Sequence, residues 1–358
     1  MGTTRRIAVA ALVALLLLAA TPRPDRAVGS APAGLHVAGN RLVDAQGRTV
    51  VLHGVDRSGT EYMCTQGQGI FDGPSDDRSV RAIATWHVNV VRLPLNESCW
   101  LGIGGVPVAY AGAAYQRAIT AYVALLNAHG MAAILDLAVV NPGRRLLNGQ
   151  QPLPDRDNSP AFWRSVATAF KANSVVLFDL YNEPHDVSWH CWRFGGCHPL
   201  ARDKADQPVT YYQAAGMQEL VTAVRGTGAT NVLMLGGTHF ASDLAEWLAY
   251  EPSDPLHNLV ASWHAYPNAC RDLACWNGQI AAVAARVPII AGEIGEMDCG
   301  HRYIDTLMDW LDAHRTGYLG WAWDTHDCSL FPSLIRDYAG TPTSYGIGLR
   351  DRLARLSR

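Results

Sequence analysis

Lysine is nearly missing from this chain of 358 residues, where Lys171 and Lys204 are the only two. Schiff-base chemistry, which needs a lysine amine, therefore has few candidates. Charge is sparse as well, at 17% of residues with a formal net charge of -3. That balance gives neither nucleic acid nor an anionic membrane surface a handle. The chain has no His-Glu-x-x-His pair for zinc, no Gly-x-Ser-x-Gly elbow, no Walker loop and no Gly-x-Gly-x-x-Gly turn, so zincin, serine-hydrolase and nucleotide chemistry have no visible claim. Beyond the amino terminus no stretch approaches the roughly 20 apolar residues of a membrane span. No internal repeat is visible.

The amino terminus does carry an apolar run. Arg5-Arg6 precede Ile7 to Ala20, and Thr21-Pro22 follow. A basic start before an apolar region of about 7–15 residues is the layout of a secretory signal. Residues 1–33 are expected to be signal and flexible leader, and residues 34–358 the folded domain. An exported chain uses its eight cysteines as disulfides rather than as reduced thiols.

The rest is 49% hydrophobic overall, enough for a sizeable core. Leu35 to Val51 alternates around Gly39-Asn40 and Gln46-Gly47, which predicts a short hairpin. Eight strand-like runs follow, near 50–55, 88–93, 132–137, 175–180, 232–235, 259–263, 289–291 and 319–322. Helical patterns follow them at 77–86, 113–129, 160–172, 210–226, 242–248, 276–286, 302–314 and 344–356. Strands without alternation are buried on both faces, and eight such β/α units predict a closed (β/α)₈ TIM barrel rather than an open sheet. All eight cysteines then fall in loops after strands. Pairing neighbours gives Cys64–Cys99, Cys191–Cys197, Cys270–Cys275 and Cys299–Cys328 as the expected bridges.

Asn182-Glu183-Pro184 ends the apolar run Val175–Tyr181, and Gly292-Glu293 ends Val287–Ala291. A glutamate at the carboxyl end of a buried strand has to be paired or functional. Two of them on one barrel rim suit glycosidic cleavage, which uses a protonated acid and an ionised nucleophile. Glu183 fits the acid and Glu293 the nucleophile. Glu296, further into its loop, reads as structural, and Asp136 as a buried, paired strand residue.

These motifs resemble glycoside hydrolase family 5, the cellulase family of (β/α)₈ barrels, over Leu35 to Leu356. The resemblance rests on Asn182-Glu183-Pro184, on Gly292-Glu293-Ile294-Gly295 and on His264-Ala265-Tyr266. Arg92 in Asn89-Val90-Val91-Arg92-Leu93-Pro94 and Trp321 in Gly320-Trp321-Ala322-Trp323 complete it. It implies Glu183 as acid/base and Glu293 as nucleophile, with Arg92, Asn182, His264, Tyr266 and Trp321 supporting substrate or nucleophile. Trp323 could exchange roles with Trp321. One departure stands out: Ala138 occupies the place where the family commonly has a histidine after the third strand.

The expectation is a secreted, monomeric, retaining β-glycosidase acting on a β-linked oligo- or polysaccharide. Endo-β-1,4-glucanase activity is the first choice, and β-mannanase or another β-glucan or glycolipid glycosidase the second. No metal or organic cofactor is called for, nor any nucleic-acid or, after signal removal, membrane partner. A reading of another class is a non-catalytic sugar-binding barrel, for which Tyr62, Trp100, Trp189, Trp192, Phe194, Phe240 and Trp276 would serve equally well. The patch His185, His190, Cys191, Cys197 and His198 could bind zinc, although a loop disulfide beside incidental histidines fits an exported chain better.

Overall fold

The computed structural model describes residues 1–2, 32–147, 149–201 and 210–357. Most of the expected signal and leader, and Lys204, lie outside them. No helix among the described residues is long and apolar enough to cross a membrane.

Eight parallel strands close into a barrel in sequence order: His53–Asp56, Val90–Asn96, Ala132–Val139, Val176–Asp179, Leu233–Gly236, Leu259–Ala265, Ile289–Ile294 and Gly317–Gly320. The expected hairpin is present as His36–Ala38 paired with Arg41–Val43. Side-chain alternation sorts each strand into two sets. Inward-facing Leu52, Val90, Ala132, Ile134, Leu177, Met234, Val260 and Ile290 pack into an apolar floor with Leu35 and Leu42 of the hairpin. Outward-facing Val91, Leu93, Ala133, Leu135, Phe178, Ala261 and Trp263 pack under the helices. Those helices present matching stripes, such as Ile304, Leu307, Met308 and Leu311 along Arg302–Ala313.

The inward positions above the floor turn polar. Asp56 sits opposite Arg92, and Asp136 opposite Asp179, in the strand registers. The seventh strand carries an extra residue. Trp263 pairs with Ala291, but His264 pairs with Glu293, so Gly292 has no counterpart. A bulge of this kind re-aims a side chain, and here it turns Glu293 inward beside His264. Glycine is needed at 292, since a Cβ would come 2.7 Å from Ser262 Oγ.

Two expected helices differ. Residues 242–248 form turns, not a helix. His239, Phe240 and Ala241 just before them have left-handed backbone, with φ of 54°, 59° and 55°, which no right-handed helix can continue. The helix expected from Thr210 starts at Met217, because Thr210–Tyr211 pairs with Leu200–Ala201 instead. All four expected disulfides are formed: Cys64–Cys99, Cys191–Cys197, Cys270–Cys275 and Cys299–Cys328.

The apolar floor sets the height of everything above it. Leu177→Ala, at a fully buried floor position, should cost about 2–5 kcal/mol, measured as a fall in the urea midpoint with an unchanged denaturant slope.

Candidate active site

Arg92 is fully buried and is the hub of the polar layer. Its Nε donates to Asp179 Oδ2 at 3.1 Å, and Nη1 donates to Asp56 Oδ1 at 3.1 Å and to Glu293 Oε1 at 3.2 Å. Nη2 donates to Asn182 Oδ1 at 2.8 Å and lies 3.3 Å from Asp136 Oδ1 without hydrogen-bond geometry. One guanidinium thus faces four buried carboxylates. Burial pushes the carboxyls of Asp56 and Asp136 well above the usual range and raises Asp179 as well, with neighbouring carboxylates adding to the push on Asp56 and Asp136. Both oxygens of Asp136 lack a hydrogen bond among the described residues, which fits a protonated, neutral acid.

Above this hub the two glutamates converge. One oxygen of Glu183, one of Glu293 and a ring nitrogen of His264 all lie within 4.8 Å of one another. His264 Nδ1 is 2.9 Å from Glu183 Oε1 and 3.5 Å from Glu293 Oε2. Burial lowers the His264 imidazole to about 4, so the ring is neutral at neutral pH. Burial raises both glutamates, and the charge of Glu183 raises Glu293 further. Their donors differ. Glu293 accepts from Arg92 and, at 2.7 Å, from Tyr266 Oη, whereas Glu183 Oε2 accepts only a side-chain amide, from Gln150 Nε2 at 2.8 Å. A guanidinium and a phenol favour the ionised form of Glu293. Glu183 is left with the environment of an acid that keeps its proton.

Three ligand atoms at this spacing resemble a metal-binding triad, but the guanidinium beside Glu293 opposes a cation there. His185 does not join the cysteines either. Its Nδ1 lies 2.9 Å from Glu183 O and its ring stacks on Phe240 at 4.2 Å, while Cys191 and Cys197 bridge each other.

Arg92 also orients Asn182. Because Oδ1 accepts from the guanidinium, Nδ2 is the end left to donate. Trp321 is half-buried, with its ring edge-on to Phe331 at 5.9 Å. Trp323 is fully buried against Trp86 at 4.9 Å and offers no face. Trp100, Trp192 and Trp276 are likewise core residues, their indole N–H groups donating to Ser165, Gly236 and Cys270. Of the loop aromatics, Phe240 remains exposed at the cleft, which Gln150, His185, Tyr266 and Met297 also line. Glu296 caps a helix, accepting from the N–H groups of Tyr303 and Ile304.

Sequence reading brought Glu183, Glu293, Arg92, Asn182, His264 and Tyr266 to one rim, and the structure clusters them there. It missed Asp56, Asp179 and Gln150. The two aspartates had a signal, being acids at inward positions of apolar strands. Gln150 had none, since it comes from a loop.

A family model described as Cellulase (glycosyl hydrolase family 5) matches residues 43–327. Endoglucanase MaCel5A of Microbulbifer sp. (strain ALW1) is 22% identical over 82% of this chain. The chain spans about half of that protein, 54% of its length. A mannan endo-1,4-beta-mannosidase of Streptomyces lividans is 24% identical over 87% of this chain and 72% of that protein. Among solved structures, the β-glucanase SdGluc5_26A from Saccharophagus degradans in complex with cellotetraose superposes with a TM-score of 0.69 at 17% identity. That match covers 95% of this chain and 99% of that one. At such identity the likeness concerns the fold.

Asp136 has a raised folded-state pKa, so its stability contribution is full below the unfolded value near 3.8 and is lost as pH rises through the folded value. Asp136→Asn removes that titration. Thermal melts should show a gain that grows from pH 5 to pH 8, reaching about 1–3 kcal/mol; an equal effect at both pH values would mean that the carboxyl is ionised throughout.

Proposed function

Because the chain belongs to glycosyl hydrolase family 5, we propose that it is a secreted, monomeric endo-β-1,4-glucanase that retains anomeric configuration. The observation that carries this reading is the approach of Glu183 and Glu293 across one cleft, with one oxygen of each within 4.8 Å of the other. Double displacement needs carboxyl groups about 5–5.5 Å apart, whereas inversion leaves room for a water at about 6.5–9.5 Å.

In the first step Glu293 attacks the anomeric carbon while Glu183 gives its proton to the glycosidic oxygen. The carbon–oxygen bond to the leaving group breaks, the leaving group departs as an alcohol, and a glycosyl ester forms on Glu293. In the second step Glu183, now ionised, takes a proton from water. The hydroxide adds to the anomeric carbon and the ester bond breaks, which restores both groups. Arg92 and Tyr266 take up the charge returning to Glu293, and Asn182 Nδ2 donates to the sugar 2-hydroxyl, a bond that strengthens in the transition state. Trp321 offers a face to a pyranose ring. The Glu183 side of the cleft receives the leaving sugar, with Phe240 as its apolar wall.

Glucan is favoured over mannan by the glucanase relative and the fold neighbour in complex with cellotetraose; the mannosidase relative keeps mannan as the second substrate to test. Export is supported by four disulfides on the active-site side and by the amino-terminal signal pattern. Residues 34–358 would be the catalytic domain.

Release of reducing sugar from soluble β-1,4-glucan should exceed release from β-1,4-mannan, and the first product should carry the β-anomer by NMR. Glu183→Gln and Glu293→Gln should each lower kcat by at least ~10³-fold, in line with the loss of an acid/base or nucleophile, with the fold intact by circular dichroism. Full turnover by the Glu293→Gln protein would refute the assignment. The rate should follow a bell in pH: the acid limb is the ionisation of Glu293 and the basic limb the loss of the Glu183 proton, both displaced upward by burial.

A further inference from the structure

The loop after the third barrel strand takes over a place at the catalytic centre although the expected histidine there is Ala138. Its Gln150 reaches Glu183 and donates Nε2–H to Oε2 at 2.8 Å. The other oxygen, Oε1, is engaged by His264, whose side chain has no exposed surface. Oε2 is therefore the oxygen turned toward the cleft, and Gln150 lines that same cleft. An acid that protonates a leaving group arriving from the cleft has to present this oxygen to it. In the substrate-free protein the amide is already there.

We propose that Gln150 guards the acid/base: its amide rests on the cleft-facing oxygen of Glu183 in the free enzyme and is displaced when the leaving-group sugar enters. This rests on the glycosidase reading above. An amide donor favours the carboxylate, so the contact opposes the upward push of burial on Glu183. Displacement removes the opposing donor at the moment a proton has to be kept for transfer. After the alcohol has left, the amide returns to a carboxylate that has just given its proton away. The other groups facing Glu183 are fixed on the scaffold: Arg92 on the second strand, His264 and Tyr266 from the sixth, Glu293 on the seventh, and His185 beside it. Asp186 and His239 also line the cleft wall. Gln150, on a loop, is the partner free to leave.

Two kinds of pH profile separate a displaceable contact from a permanent one. The profile of kcat/KM reports the free enzyme, and that of kcat the substrate complex. In Gln150→Ala the basic limb of kcat/KM on soluble β-glucan should move up by about one pH unit, while the basic limb of kcat stays where it is. Gln150→Asn, one methylene shorter, should behave alike and guards against a folding artefact in the alanine protein. Carbon-13 titration of the Glu183 carboxyl in the ligand-free protein should show the same upward move without any substrate. Equal movement of both limbs would place the amide on Glu183 throughout turnover and overturn the displacement. An unmoved Glu183 midpoint in both variants would overturn the guard altogether. A wild-type chain that releases no sugar fails the glycosidase reading instead, and the carboxyl titration still decides on Gln150.

Discussion

One buried cation organises this molecule. Arg92 stands on the barrel axis side of the second strand with Asp56, Asp136 and Asp179 around it and Glu293 above. An arginine cannot shed its charge, and its isolated burial would be costly. The surrounding acids supply more negative charge than it can balance, so the surplus is met by protonation. The result is a layer in which the guanidinium is fixed from below and two of its N–H groups remain to serve the cleft. One of them meets Glu293 and the other fixes the orientation of Asn182. The donors around Glu293 are thus as rigid as the barrel itself, the condition under which preorganised electrostatics contributes most.

Much of this was legible in the residues. Apolar strands without alternation announced a sheet buried on both faces, and Glu183 and Glu293 stood out as charges at the ends of such strands. The cysteine pairs followed from loop neighbourhood. What failed was local. The 242–248 segment has helical periodicity, but the left-handed run from His239 to Ala241 precedes it. Such a run costs roughly 1–2 kcal/mol per residue and leaves no helical entry. Thr210 and Tyr211 preferred a backbone partner in Leu200–Ala201. Neither event leaves a mark in composition or periodicity.

The aromatic residues show the same limit from another side. Tryptophan at a strand-end loop reads equally as sugar platform or as core. Burial decided it: Trp100, Trp192 and Trp276 vanish inside, and each indole N–H finds an acceptor. Phe240, by contrast, stays in the cleft, held on the left-handed turn and backed by the His185 ring. Strain of this kind collects at functional places, and here it sets an apolar face in the cleft that Glu183 also lines.

The bulge at Gly292 has a consequence for how this chain can vary. Alternation along the seventh strand would otherwise send residue 293 outward, under the helices, where Ala291 and Ile294 pack. Flattening the bulge with every residue kept would turn over all that follows, sending the carboxylate under the helices and Ile294 into the cavity. Deleting Gly292 would do the opposite: the glutamate would follow Ala291 directly, opposite His264, and still face inward by plain alternation. The strand therefore tolerates one residue or two between Ala291 and Ile294, but parity forbids a flat pairing of both.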